Sequence, residues 1–161
     1  MTFNTSLDKL AKGITIAVSV LFAAIILGPY LGYGDGDKTM LNYINLGLLL
    51  LYLFVFSLRP TRYTLTTEQL IIHRPLSNVK IDRDQIKSIE PLDKAKLGRA
   101  IRTFGVGGLF GYFGKFASTK LGSMTWYVTN RNKTILMTTI EDKKIVISPD
   151  HPEQLIAHFN L

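Results

Sequence analysis

The chain has no cysteine among its 161 residues, so disulfides are excluded and no thiol is available to a zinc site, although that absence alone selects no compartment. Histidine is nearly as scarce. His73, His151 and His158 are the only three, and none pairs with a carboxylate on one helix face. His73 reads as a strand-surface residue and His151 as a helix start. Acidic residues number 12 against 19 Lys and Arg. The two acidic pairs, Asp82 with Asp84 and Glu141 with Asp142, fall in expected turns, where solvation accounts for them. No G-x-S-x-G elbow is present, and no serine has the local context of a nucleophile. These absences describe a chain that is not an enzyme, with no catalytic residue, metal site or cofactor to assign.

Charge is missing altogether from Ile14 to Tyr33, a run of 20 residues, and from Leu41 to Leu58, 18 residues broken only by Asn42, Asn45 and Ser57. At about 1.5 Å per residue each reaches roughly 27 to 30 Å, the thickness of a hydrocarbon core. Neither run has a polar face, which argues against a buried pair of core helices. A signal peptide is the other reading of the first, because Lys9 and Lys12 precede it. No small-x-small cleavage site follows, however, and GPYLGY prolongs the segment. Two transmembrane spans are therefore expected, at about 14–33 and 41–58. Neither contains Asp, Glu, Lys, Arg or His, so a substrate path through them is not indicated, while Asn42 and Asn45 suit helix-to-helix hydrogen bonds.

Lys9 and Lys12 precede the first span and Arg59 and Arg62 follow the second, whereas the link Gly34-Asp-Gly-Asp-Lys38 is short and net acidic. The positive-inside rule then puts both termini in the cytoplasm and the DGD turn outside. Residues 1–61 form the terminal segment and hairpin, and residues 62–161 a separate domain with 15 Lys and Arg against nine Asp and Glu, a net charge of +6. Such a domain is drawn to an anionic leaflet or to nucleic acid. Tethering to the spans favours the leaflet and argues against nucleic acid.

The periodicity of this domain is that of strands, and seven are expected. Arg62–Thr66 and Leu70–Arg74 flank a short turn, and Val79–Asp82 and Ile86–Pro91 follow. Met124, Trp126 and Val128 alternate with Thr125, Tyr127 and Thr129; Thr134–Ile140 and Lys144–Ser148 then pair across Glu141-Asp142-Lys143. A helix closes the chain. Ser148 or Asp150 can cap it, Pro152 fits its first turn, and Leu155, Ile156 and Phe159 form one apolar stripe.

Between the fourth and fifth expected strands lies an insertion, residues 93–122, with seven glycines, five aromatics and six Lys and Arg against one acid. Its glycines fail the nucleotide test: Phe110 stands where the third glycine of G-x-G-x-x-G belongs, and G-K-[ST] is absent. Glycines can instead let the backbone turn between bulky neighbours, so that Phe104, Phe110, Tyr112, Phe113 and Phe116 face one surface. Two outcomes are open. The loop folds back and buries its aromatics in the domain's own core, or it packs on the bilayer or on the ends of the spans. Arg59-Pro60-Thr61 is the only linker, and three residues extend at most about 11 Å, which holds the domain in the headgroup region. Arg99, Arg102, Lys115 and Lys120 flank the aromatics, and each basic side chain facing an anionic leaflet adds about 1 kcal/mol.

Seven antiparallel strands and one amphipathic helix suggest a small barrel or orthogonal sandwich closed by the helix. That order resembles the pleckstrin-homology superfold. The runs RPTRYTLTTEQLIIHRPL, IRTFGVGGLFGYFGKF and VISPDHPEQLIAHF further resemble a family of bacterial membrane proteins with a pleckstrin-homology-like domain, over roughly Pro60 to the C-terminus. The resemblance implies that fold behind a two-helix transmembrane hairpin, and an address in the bacterial inner membrane, multi-pass. It supplies no catalytic residues.

Three readings of function follow. The first is a non-catalytic membrane-anchored scaffold that recruits a protein partner or associates with itself, with no small-molecule substrate. The second is a sensor of anionic lipid head groups in which Arg99, Arg102, Lys115 and Lys120 form a phosphate cluster. The third is an accessory subunit of a membrane enzyme or transporter.

Overall fold

The computed structural model describes residues 1–31 and 38–159. Most of the acidic link between the two apolar runs, and with it the expected outward turn, lies outside the described residues. Helix α1 (Lys9–Leu27) begins at Asp8, whose extended backbone and carboxylate cap it by accepting from the Ala11 amide. A short 3-10 turn, Gly28–Tyr30, follows it, and helix α2 spans Lys38–Ser57. Both helices are long and apolar enough to cross a membrane, and almost none of either apolar stretch is buried within the protein. They touch at polar points. Tyr30 Oη donates to Asn42 Oδ1 at 2.5 Å, and the Ser19 and Tyr52 hydroxyls lie 2.5 Å apart.

The rest is mainly β, in two sheets. The first contains β1 (Thr2–Asn4), β2 (Arg62–Leu65), β3 (Gln69–His73) and β4 (Val79–Asp82), antiparallel and in that order. The second contains β5 (Ile86–Pro91), β6 (Ala100–Gly108), β7 (Gly111–Ser118), β8 (Gly122–Val128), β9 (Ile135–Thr139) and β10 (Lys144–Ile147), in the order β5-β9-β10-β8-β7-β6. Within it β10 runs parallel to β8 and the other pairs are antiparallel. A one-turn helix α3 (Lys94–Leu97) precedes β6, and α4 (Pro152–Phe159) ends the chain. This is the pleckstrin-homology-like architecture that the resemblance implied.

All seven expected strands are present, and three more join them among the described residues. β1 lies before the helices yet pairs with β2, Thr2 opposite Thr64 and Asn4 opposite Arg62, so the first residues belong to the same sheet as residues 62–82. The other two, β6 and β7, are the insertion itself, which is a long hairpin and not an irregular loop. Its strands close through the two-residue loop Leu109-Phe110, with Phe110 at a φ of 58°.

Alternation along the strands divides the apolar side chains between two cores. Tyr63, Leu65, Leu70, Ile72 and Ile81 of the first sheet meet Ile86, Ile135, Met137 and Ile147 of the second, with Leu155 of α4 buried among them. The opposite face of the second sheet carries Tyr112, Phe116, Met124, Trp126, Val128, Leu136 and Val146, and Ala11 of α1 packs there.

Candidate functional site

The β6–β7 hairpin is the feature on which the two apolar helices, the domain and the exposed basic residues converge. Its shape begins with glycine. Gly105 and Gly114 face each other in register at φ of 112° and 123°, a region open to glycine and strained for other residues. At the tip, Gly108 has a φ of 129°, and a Cβ there would fall 2.5 Å from Ile14 Cδ1 of α1. The tip therefore meets helix α1 backbone-first.

This close approach carries Phe110 onto the helices. Its amide donates to Thr15 Oγ1 at 2.9 Å, and its ring meets Tyr52 and Phe56 of α2 edge-on, at centroid distances of 5.1 and 5.2 Å. Such aromatic pairs contribute about 0.5 to 1.5 kcal/mol each beyond their buried area. Arg59, at the end of α2, stacks on Phe56 at 4.2 Å. The β3–β4 connection adds a second tie, because the Leu76 amide donates to Ser57 O at 2.9 Å.

A third tie is Asp8. Its carboxylate accepts from the Ala11 amide at 2.7 Å, Tyr112 Oη at 3.1 Å, and the Arg131 amide and Nε at 3.3 and 3.2 Å. Burial pushes its pKa up, but these donors together outweigh burial and hold it below the ordinary 3.8. The Tyr112 hydroxyl moves the other way: burial first, and then the Asp8 charge, push it up to about 12. Asp8 thus joins the start of α1 to β7 and to the β8–β9 turn.

The five insertion aromatics do not share one surface. Tyr112 and Phe116 pack in the outer core, where Phe116 stacks on Trp126 at 4.4 Å. Phe113 is also buried, but it lies opposite Val106 and Tyr127 on the other face of the sheet. Phe110 is buried on the helices, and Phe104 is 77% exposed on β6. Strand alternation separates what the sequence lists together.

The four basic residues are divided in the same way. Arg102 is in register with Phe116, and its guanidinium leans over Gly107. Lys115 is in register with Thr125 on the opposite face and donates to its hydroxyl at 2.8 Å. Lys120 reaches the carbonyl of Ala95 in α3, and Arg99 is exposed at the foot of the hairpin. Arg99 and Arg102 make no ion pair among the described residues.

β6 forms one edge of the second sheet, and its nine residues present Ile101 and Phe104 to solvent. Among the described residues no group of three or more His, Asp or Glu side chains can hold a metal ion. The sequence reading missed Asp8, Thr15, Tyr52, Phe56 and Arg131. Only Asp8 carried a signal, as an N-cap residue directly before a long apolar helix. No curated protein and no solved structure matches the chain. The bacterial PH domain family does match, over residues 61–160, which take in all of β2 to α4 and well over half of the chain, and the protein therefore belongs to that family.

Proposed function

We propose that the protein is a non-catalytic binding module of the bacterial inner membrane. α1 and α2 cross the bilayer, both chain ends face the cytoplasm, and the β domain stands at head-group level and offers the β6 edge to a protein partner or to a second copy of the chain. The observation that carries this reading is the edge itself: among the described residues β6 is bonded on one side only, it exposes Ile101 and Phe104, and the hairpin that bears it is fixed to both helices through Phe110. An edge of this kind binds an extended segment through main-chain hydrogen bonds, with apolar side chains giving selectivity. Membrane placement is supported by the length and exposure of the helices and by Lys9, Lys12, Arg59 and Arg62 at their domain-side ends.

The test is a photo-cross-linking residue at Ile101 in the full chain, irradiated in cells. The expected result is one discrete adduct that is lost in Phe104→Glu, at twice the chain mass for self-association or at another mass for a partner subunit. Absence of any adduct from a folded, membrane-extracted chain would overturn the edge as the recruiting surface. A second reading, contact with anionic lipid head groups, rests on Arg99 and Arg102, which are exposed and have no acidic partner among the described residues.

A further inference from the structure

A cavity of about 420 Å³ opens on the outer face of the second sheet, away from the interior between the sheets. Its wall is aromatic, formed by Tyr112, Phe116 and Trp126. Small residues leave the space: Gly98 and Ala100 beside α3, and Gly107 on β6. Its polar lining is Lys94, Arg131, Asn132 and Thr134, with no carboxylate among the lining residues.

The cations at this opening are unequal. Arg131 is committed through Nε to Asp8 and lies over the Tyr112 ring at 4.6 Å. The Lys94 carbonyl accepts from the Gly98 amide, but its ammonium has no hydrogen bond or ion pair among the described residues, and Arg102 Nη1 lies 3.3 Å from where a Cβ on Gly107 would stand, which brings a second unpaired cation to the rim. The neighbouring acids are engaged elsewhere: Asp93 caps α3 and Glu90 pairs with Lys96. Trp126 is buried, and its indole N–H has no hydrogen-bond partner among the described residues. The rim therefore holds uncompensated positive charge above an aromatic wall.

We propose that this cavity binds a phosphate ester with an apolar body, the phosphate held by Lys94 and Arg102 with Arg131 behind them and the apolar part laid on the aromatic wall. Such an ester has two sources, an anionic phospholipid or a soluble metabolite. The lipid source rests on the membrane placement proposed above; the site itself does not.

The chain has a single tryptophan, Trp126, and it lines the cavity, so its fluorescence reports occupancy directly. Full-length protein in zwitterionic nanodiscs is titrated with dihexanoyl phosphatidic acid below its micelle concentration, and in parallel reconstituted into nanodiscs containing phosphatidylglycerol. The expected result is a saturable, salt-sensitive change in Trp126 emission. Its apparent Kd should rise at least tenfold in Lys94→Glu, an exposed position, and in Arg102→Glu. A response in both arms assigns the lipid, and a response to the soluble ester alone assigns a soluble phosphate ligand. An equal response to uncharged dihexanoylglycerol, an unchanged Kd in both variants, or no response in either arm would overturn the proposal. Because the soluble arm needs neither a spanning helix nor a partner bound along β6, failure of the cavity and failure of the scaffold reading are separately visible.

Discussion

Replacing Gly114 with alanine isolates the geometry on which the hairpin depends. A Cβ added there would lie 2.4 Å from the carbonyl oxygen of Phe104 and 2.8 Å from Gly105 Cα, both backbone atoms of the paired strand. The same holds in reverse for Gly105, whose Cβ would fall 2.4 Å from the Phe113 carbonyl oxygen. No rotamer relieves either clash, so the strands must separate or the φ of 123° must be abandoned. Strained backbone of this kind costs about 1 to 3 kcal/mol. Displacing the bonded pair and the aromatics that flank it adds overpacking of about 1 to 3 kcal/mol. A loss of about 2 to 6 kcal/mol is expected, a large part of the 5 to 15 kcal/mol typical of a domain.

The assay is chemical denaturation of the full chain in detergent micelles, followed by Trp126 fluorescence, which senses Phe116 stacked on the indole. Gly107→Ala is the control. Its φ is not in the left-handed region, and its nearest foreign atom is Arg102 Nη1 at 3.3 Å, the end of a flexible side chain, so a change within about 1 kcal/mol is expected. If Gly114→Ala unfolds within 0.5 kcal/mol of the parent, on the order of ordinary surface substitutions, the close crossing of the two strands is refuted.

Asp8→Ala removes a helix cap and one partner each of Tyr112 and Arg131, for an expected loss of about 2 kcal/mol, most of it from the cap and little from the half-exposed Arg131 pair. Because the folded pKa of Asp8 lies below 3.8, its contribution is complete above that pH and fades as pH falls through the folded value; the acid limb of a stability–pH curve should flatten in the variant. Tyr112 has the opposite sign: a folded pKa of about 12 against an ordinary 10 gives stability that is full below pH 10 and lost as pH rises towards 12, and Tyr112→Phe should remove that loss in an alkaline denaturation series. Tyr63→Phe removes the hydroxyl that donates to the part-buried Tyr127 carbonyl at 2.6 Å and accepts from the buried Ser148 amide at 3.2 Å, so a loss of about 2 kcal/mol is expected by the same denaturation assay.

The elements that could be read from sequence are those in which composition and geometry share a period. Gln69–His73 shows it plainly: Leu70 and Ile72 are fully buried and their neighbours are not. The uncharged runs behave likewise, since a helix with no polar face is visible in composition alone. β6 escaped because Gly105, Gly107 and Gly108 erase the alternation that marks a strand, and the paired positive φ values that make it one depend on β7. β1 escaped for a different reason. Three residues carry no period, and their partners lie some sixty positions away across two helices. The bulge between Arg102 and Phe104 had no local signal either, and together with strand alternation it helps to decide that Arg102 leans over the cavity while Lys115 turns to Thr125. The cavity is a further step removed, because residues 94 to 134 contribute to it through five separate elements and turns.

These hidden elements are the ones that fix the β domain to the helices, which bears on what kind of module this is. A domain tethered only by Arg59-Pro60-Thr61 would swivel at the end of α2. Here β1 enters the first sheet before α1 begins, Asp8 ties the start of α1 to Tyr112 and Arg131, and Phe110 seats against α2 while its amide bonds to α1. These attachments on two helices leave no free rotation, so the β6 edge and the cavity mouth keep one orientation relative to the helix axes. A rigid mount of this kind suits a surface that must meet its ligand at one height and angle. It also makes the helices part of the site: a substitution such as Tyr52→Ala, which removes a ring contact with both Phe110 and Phe22, should loosen the hairpin and raise hydrogen exchange across β6 and β7 without touching either strand. Unchanged exchange in that variant would mean that the sheet holds the hairpin unaided and that the helices only anchor it.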